Sequence, residues 1–172
     1  SMGLATTPSV YFNTVEGDFD LSIQITASHN SKEYNGMKIS RKKALPVGYD
    51  TGLDKLEKLV NNSDLDLEEI SAKNMKDTVK DYHGQYKYLN FLKDHQPDID
   101  SLEIIMDASN GMAALFLNDI FGDEVDYINY EMNGDFPGHD PNPMKEENLA
   151  EIRKNIENNN YDIGVVYDGD GD

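Results

Sequence analysis

The chain has 172 residues, a formal net charge of −18 and no cysteine. Without cysteine it can form neither disulfides nor thiolate metal sites, which suits a cytoplasmic protein. The strong negative charge argues against nucleic acid and anionic membranes as partners, and no apolar run approaches the roughly 18 residues of a transmembrane helix.

The first strand is predicted at residues 21–25, where apolar and polar side chains alternate. It leads into residues 26–38, which contain a hydroxyl, an imidazole, amides and an ammonium. Phosphoryl transfer needs a hydroxyl on an exposed turn, donors for the phosphate oxygens and a cation. Ser28 is the candidate hydroxyl, with His29 and Asn30 beside it as donors. An isolated Ser-His pair would instead be interpreted as an ordinary turn.

A second strand is predicted at residues 37–40. A helix should follow Thr51 as its N-cap, because apolar residues from Leu53 to Val60 recur at helical spacing. Residues 61–77 are polar and acidic, so the domain boundary is predicted at their end. The first domain then covers residues 1–77 and the second covers residues 78–172.

The second domain is predicted to alternate helices and strands. Helices are expected at residues 81–94, 113–121 and 146–158, and strands at 102–106, 125–130 and 163–167. Such alternation indicates an α/β fold with a largely parallel sheet, whose ligands bind outside the carboxyl ends of the strands. The turn at residues 107–111 and the acidic run at 168–172 both fall at such ends. For the whole chain we expect two α/β domains with mixed or largely parallel sheets flanked by helices.

Three aspartates, Asp168, Asp170 and Asp172, alternate with glycines after an apolar strand. Carboxylates are hard oxygen ligands that suit Mg²⁺. An EF-hand calcium loop is excluded, because it needs an entering helix, a glycine at its sixth position and a glutamate at its twelfth. An acidic solvated tail and the aspartyl nucleophile of haloacid-dehalogenase-like phosphotransferases stay open as alternatives.

Several segments together resemble the α-D-phosphohexomutase superfamily, and its phosphomannomutase/phosphoglucomutase branch in particular. They are TASHN at residues 26–30, YNGMK at 34–38 and DGDGD at 168–172, supported by the segments at 7–12, 133–137 and 140–143. The resemblance covers nearly the whole chain. It implies the later part of the first domain and most of the second domain of a four-domain mutase, and hence a fragment of a longer protein.

The resemblance implies a role for each matching residue. Ser28 would be the phosphoserine, and His29 and Lys38 the general acid/base candidates, although a lysine acts as a base only if its pKa is lowered. Phosphate or substrate would contact Thr26, Asn30 and Lys38. One Mg²⁺ per active site would be held by Ser28, Asp168, Asp170 and Asp172.

The implied activity is that of an intramolecular phosphotransferase, an isomerase that interconverts hexose 1-phosphate and hexose 6-phosphate through a bisphosphorylated sugar. A sugar bisphosphate would serve as activator. The partners would be the hexose phosphate substrate and mutase domains 3 and 4, without which the fragment itself would be inactive. The alternatives are a dehalogenase-like phosphotransferase carrying phosphate on Asp168, and a non-catalytic acidic module that binds metal or a partner.

Overall fold

The computed structural model describes residues 1–63 and 79–172. The predicted domain boundary between residues 77 and 78 lies outside the described residues and stays a prediction. The described ranges contain two three-stranded sheets, each associated with α-helices. The predicted α/β fold class is confirmed, but of the two sheets only the second is parallel, and the first is antiparallel where a mixed or largely parallel sheet was expected.

The first sheet is antiparallel, with strands β1 (Leu21–Ile25), β2 (Met37–Arg41) and β3 (Leu45–Pro46) in that order. Ile25 pairs with Met37, so residues 26–36 form the connection between two paired strands. We call this connection the serine loop. Both predicted strands, 21–25 and 37–40, are present almost as expected.

Helix α1 (Thr7–Glu16) precedes this sheet and was not among the predicted elements. Thr6 is its N-cap, since the Thr6 side chain accepts a hydrogen bond from the Ser9 N–H at 3.2 Å. Pro8 stands in the first turn, where its missing N–H costs nothing. Helix α2 (Leu53–Asn61) follows the sheet as predicted, although its N-cap is Gly52 and not Thr51.

One face of the first sheet is apolar and open to solvent. Leu21, Ile23 and Ile25 lie on it because alternate residues of a strand share a face, and they are 53%, 48% and 61% exposed. On the opposite face, Gln24 donates a hydrogen bond to the Ala5 carbonyl just before α1. Within the described residues α2 has no buried side chain, whereas α1 has five.

The second sheet is parallel, in the order β5 (Asp126–Ile128), β4 (Ile104–Asp107), β6 (Ile163–Val166). Its helices are α3 (Gln85–Asp94), α4 (Ala114–Phe121) and α5 (Ala150–Asn159). The predicted helix at 146–158 is thus a 3-10 turn, Glu146–Leu149, followed by α5. The end predicted for α4 at Gly122 is confirmed, with a φ of 54° there.

The main apolar core lies in this second unit, where all four residues of β4 are buried. Its members are Ile99, Ile104, Met106, Ala108, Ala113, Ala114, Leu117 and Val125. Across the two described ranges, no helix has the length and apolar character that crossing a membrane requires.

Aromatic side chains join the two units. The Phe12 ring of α1 lies 5.4 Å from the Tyr88 ring and 4.9 Å from the Phe91 ring, both on α3. The Tyr88 ring in turn lies 5.3 Å from the Phe116 ring of α4. Helix α1 therefore lies between the first sheet and helix α3 of the second unit and contacts both.

Candidate active site

The acidic loop, residues 168–172, leaves the carboxyl end of β6 beside the turn that follows β4. The Tyr167 N–H donates to the Asp107 carbonyl at 3.0 Å, and the Met112 N–H donates to the Gly169 carbonyl at 3.1 Å. Asp168, Asp170 and Asp172 each offer a carboxylate oxygen within 4.8 Å of the others. The three aspartates therefore converge at the position where parallel sheets bind ligands.

The acidic loop is held in its curl by its own first side chain. Asp168 Oδ1 accepts hydrogen bonds from the Asp170 N–H at 3.2 Å and the Asp172 N–H at 3.1 Å. Gly171 has a φ of 81°, a conformation that side chains other than glycine rarely adopt. Asp168 and Asp170 are buried, whereas Asp172 is exposed.

A glycine in the acidic loop permits close contact with the serine loop. A Cβ placed on Gly169 would lie 2.6 Å from the Ser28 carbonyl oxygen. On the other side, a Cβ on Gly111 would lie 2.8 Å from the Gly169 carbonyl oxygen. The glycines between the aspartates are thus required by backbone contacts as well as by loop curvature.

Ser28 faces the acidic loop across this contact. Its backbone has a φ of 54°, and its N–H donates to Thr26 Oγ1 at 2.8 Å. The Ser28 hydroxyl donates to Asp168 Oδ2 at 3.2 Å. Although the two residues are 140 positions apart, the fold places the candidate carrier hydroxyl against the first aspartate.

Lys38 reaches the same cluster from β2. Its Nζ lies 2.9 Å from Asp170 Oδ2 and 3.2 Å from Asp172 Oδ2. Burial alone would lower the pKa of Lys38, but the hydrogen bonds and negative charges of the two aspartates outweigh it and raise the pKa. In this arrangement Lys38 is an ammonium group held between two carboxylates.

The other predicted contact residues shape or border the serine loop. The Thr26 hydroxyl oxygen accepts a hydrogen bond from the Ser28 backbone N–H. The Asn30 side-chain amide donates a hydrogen bond to the Ala27 carbonyl at 2.9 Å. His29 is exposed, and its ring makes no hydrogen bond among the residues that the structure describes. The fold therefore brings Ser28, Lys38 and the aspartates together, and leaves His29 at the rim.

Thr7 is a member of the site that the sequence analysis did not single out. It is fully buried, and its Oγ1 donates to Asp170 Oδ2 at 2.6 Å. In the sequence it stood only in the segment at residues 7–12 that resembles the family, and this segment says nothing about a partner 163 residues away.

The acidic loop brings three carboxylates close together, and their charges and hydrogen bonds indicate a cation site. Burial, together with the like charges of Asp170 and Asp172, raises the pKa of Asp168 to about 6. Burial would also raise the pKa of Asp170, but hydrogen bonds from Thr7 and Lys38 outweigh it and lower the pKa. Asp170 Oδ1 is buried and has no hydrogen-bond partner. Three carboxylates with an unpartnered buried oxygen fit a hard divalent cation such as Mg²⁺.

Two family models match the chain. The model described as phosphoglucomutase/phosphomannomutase, alpha/beta/alpha domain I, matches residues 1–66, and the model for domain II of the same family matches residues 86–172. The chain belongs to the phosphoglucomutase/phosphomannomutase family. The predicted membership is thereby confirmed, and the dehalogenase-like alternative is not favoured.

Similar proteins carry the names of three mutases. The chain is 33% identical to a phosphomannomutase of Methanocaldococcus jannaschii over 99% of its length and 38% of the relative. It is 31% identical to a phosphoglucomutase of Neisseria gonorrhoeae over 100% of its length and 36% of the relative. A phosphoglucosamine mutase of Limosilactobacillus reuteri is 34% identical over 99% of the chain and 38% of the relative.

Solved structures of the family have the same fold. A phosphoglucomutase/phosphomannomutase family protein from Burkholderia thailandensis superimposes with a TM-score of 0.71 at 26% identity, covering 97% of this chain and 37% of that one. The chain thus spans little more than a third of the length of the family members it matches.

Proposed function

We propose that this chain is the phosphoryl-carrying part of a hexose-phosphate mutase, which interconverts hexose 1-phosphate and hexose 6-phosphate through a bisphosphorylated sugar. The observation that carries the proposal is the contact between Ser28 Oγ and Asp168 Oδ2 at 3.2 Å. It supports a phosphoserine whose phosphate would lie against a cation site. An ordinary turn serine has no need of a buried carboxylate as partner.

Ser28 is the group that gives and takes the phosphoryl group. Donation breaks the bond between Ser28 Oγ and phosphorus and forms a bond from phosphorus to a sugar hydroxyl. The proton of the sugar hydroxyl passes to His29, and the oxygen left on Ser28 takes up a proton from Lys38. Return of a phosphoryl group to Ser28 moves both protons back. The positive φ of Ser28 and the hydrogen bond from its N–H to Thr26 fix the turn on which this hydroxyl is presented.

Lys38 and His29 are the proposed proton-transfer residues. Lys38, whose raised pKa keeps it an ammonium, is suited to supply positive charge on the side of the acidic loop, and its proton would be delivered only to a strongly basic oxygen such as the one left on Ser28. His29 is exposed at the rim, where a bound sugar would approach, and is the candidate base for the sugar hydroxyl. Asn30 and Thr26 would contact phosphate or substrate when the loop is occupied.

Asp168, Asp170 and Asp172, with a phosphate oxygen on Ser28, would hold one Mg²⁺. When bound, Mg²⁺ supplies positive charge against the oxygens of the transferred group. Asp168 and Asp170 are buried, so their carboxylates are shielded from bulk water, and the ion pairs with Lys38 hold Asp170 and Asp172 in place. The hexose phosphate, its bisphosphate activator and further mutase domains complete the proposed active site.

The location of the covalent phosphate tests the proposal. The protein expressed from its complete gene is incubated with glucose 1,6-bisphosphate and examined by peptide mass spectrometry. We expect phosphate on Ser28, resistant to hydroxylamine, and none in Ser28→Ala. Ser31→Ala removes another hydroxyl of the same loop and is the matched control, which should be phosphorylated normally. Phosphate on Asp168, cleaved by hydroxylamine as an acyl phosphate, would refute the assignment.

A further inference from the structure

Thr7 contacts the acidic loop at two points. Its side-chain hydroxyl donates to Asp170 Oδ2 at 2.6 Å, and its backbone N–H donates to the Asp170 carbonyl at 3.0 Å. The N–H is free to do so because the first residues of a helix have no intrahelical acceptor. Thr7 therefore fixes both the backbone and the carboxylate of Asp170 from a helix of the other unit.

The two oxygens of Asp170 have different surroundings. Oδ2 accepts from Thr7 and faces the Lys38 ammonium at 2.9 Å. Oδ1 is buried and has no hydrogen-bond partner. A buried carboxylate oxygen without a partner is unfavourable unless another group satisfies it. The Thr7 hydrogen bond fixes which oxygen is left over, and hence which one is available to a cation.

We propose that Thr7 is a positioning residue for the cation site, holding Asp170 so that its unpartnered oxygen is presented to the divalent ion. This inference rests on the proposed function, because it needs the three aspartates to be ligands. Thr7 would not touch the ion or the substrate. It would act through Asp170, as hydrogen-bonded partners of metal ligands commonly do.

Helix α1 also offers a matched control. Thr14 is buried in the same helix, and its hydroxyl donates to the Val10 carbonyl at 2.7 Å, within the helix. Thr14→Val therefore removes one buried hydroxyl from α1 without touching Asp170. Any effect that comes only from weakening α1 should be shared by Thr7→Val and Thr14→Val.

The test is the Mn²⁺ affinity of the 172-residue chain, measured from the electron paramagnetic resonance signal of free Mn²⁺. Circular dichroism establishes that each variant is folded under the same conditions. We expect Thr7→Val to raise the Mn²⁺ Kd roughly tenfold. Thr7→Ser, which keeps the hydroxyl, and Thr14→Val should both stay close to the wild type. If Thr7→Val does not fold, Thr7→Ala removes the same hydroxyl without an added methyl group and takes its place.

The outcomes separate the two proposals. An unchanged Kd in Thr7→Val, or an equal loss in Thr14→Val, would overturn the positioning role while leaving the cation site intact. A wild-type chain that does not bind Mn²⁺ would overturn the cation site and the role of Thr7 with it. Loss in Thr7→Val with rescue by Thr7→Ser supports the inference, because a structural role alone would not move the affinity of the folded protein.

Discussion

Gly169 is the residue at which the acidic loop and the serine loop come closest. A Cβ at this position would lie 2.6 Å from the Ser28 carbonyl oxygen, and backbone cannot move aside as a flexible side chain can. We expect Gly169→Ala to destabilise the chain by about 1–3 kcal/mol, the usual effect of overpacking. Urea unfolding followed by circular dichroism measures the change.

Gly134→Ala is the control for this prediction. A Cβ on Gly134 would meet no atom within 4 Å, so this variant should unfold like the wild type. Equal stability of Gly169→Ala and Gly134→Ala would mean that the two loops are not in backbone contact.

His139 gives the stability of the protein a predictable pH dependence. Its Nε2 lies 3.0 Å from Asp107 Oδ2, and its Nδ1 lies 2.8 Å from the Asp140 carbonyl oxygen. The hydrogen bond with Asp107 raises the pKa of His139, outweighing burial, which would lower it. Because the folded pKa lies above the unfolded value of about 6.5, the stabilisation is complete below that pH and is lost as pH rises through the folded pKa.

The measurement is the free energy of unfolding of wild type and His139→Gln across pH 5.5–9. The difference between the two should be largest at the acid end and shrink toward alkaline pH. His95→Gln is the matched control, since the His95 ring contacts the Phe91 carbonyl and no carboxylate partner is seen in the described part of the chain. A constant difference for His139→Gln would show that the histidine does not titrate against Asp107.

At the residue scale, sequence motifs located the candidate site, and the structure added contacts between residues that are far apart in the sequence. Ser28, Lys38 and the three aspartates lie in segments whose residue types already indicate phosphoryl transfer. Thr7 could not be found this way, because its role depends on a contact across the chain and a threonine at a helix start is commonplace. The direction of the Lys38 pKa shift could not be predicted from the sequence either, because it depends on which carboxylates lie beside Lys38 in the fold.

At the element scale, periodicity predicted the strands and helices of the parallel unit, with bounds shifted by a few residues, because apolar residues recur along them at strand or helix spacing. The strand at residues 21–25 was predicted from alternation alone and is present as β1. Helix α1 was missed although Thr6 and Pro8 are start signals, because its buried face is mostly polar: Thr7, Ser9, Val10, Asn13 and Thr14. A search for apolar spacing does not find such a helix.

The two sheets should differ in local stability. All four residues of β4 are buried and both of its edges are paired, whereas β1 has alternate residues open to solvent. We expect backbone amides of β4 to exchange with deuterium much more slowly than those of β1. Hydrogen-exchange mass spectrometry of the 172-residue chain resolves the two segments. Equal protection of β1 and β4 would show that the first sheet is as firmly held as the second.

At the scale of the whole molecule, we expect the 172-residue chain alone to have no measurable mutase turnover. The chain spans 36–39% of its curated relatives. Orienting a sugar oxygen in line with phosphorus can account for roughly 7–11 kcal/mol of barrier lowering, and under the proposed function further mutase domains complete the site that holds the sugar.

A coupled assay with mannose 1-phosphate and glucose 1,6-bisphosphate tests this prediction. The protein expressed from its complete gene is the positive control, and its Ser28→Ala variant is the background. Turnover by the 172-residue chain close to that of the positive control would mean that it holds the sugar without other domains.

The serine loop and the acidic loop approach closely at Gly169 and are joined there by polar contacts. Ser28 donates a hydrogen bond to Asp168, and Lys38, at the start of the strand that leaves the serine loop, forms ion pairs with Asp170 and Asp172. The candidate carrier hydroxyl and the three carboxylates can therefore rotate together, but the two loops cannot separate without losing these contacts. We therefore expect any hinge that admits or releases a sugar to lie outside these two loops. The distance between the Ser28 hydroxyl and the Asp168 carboxylate should then be the same whether the protein is open or closed around its sugar.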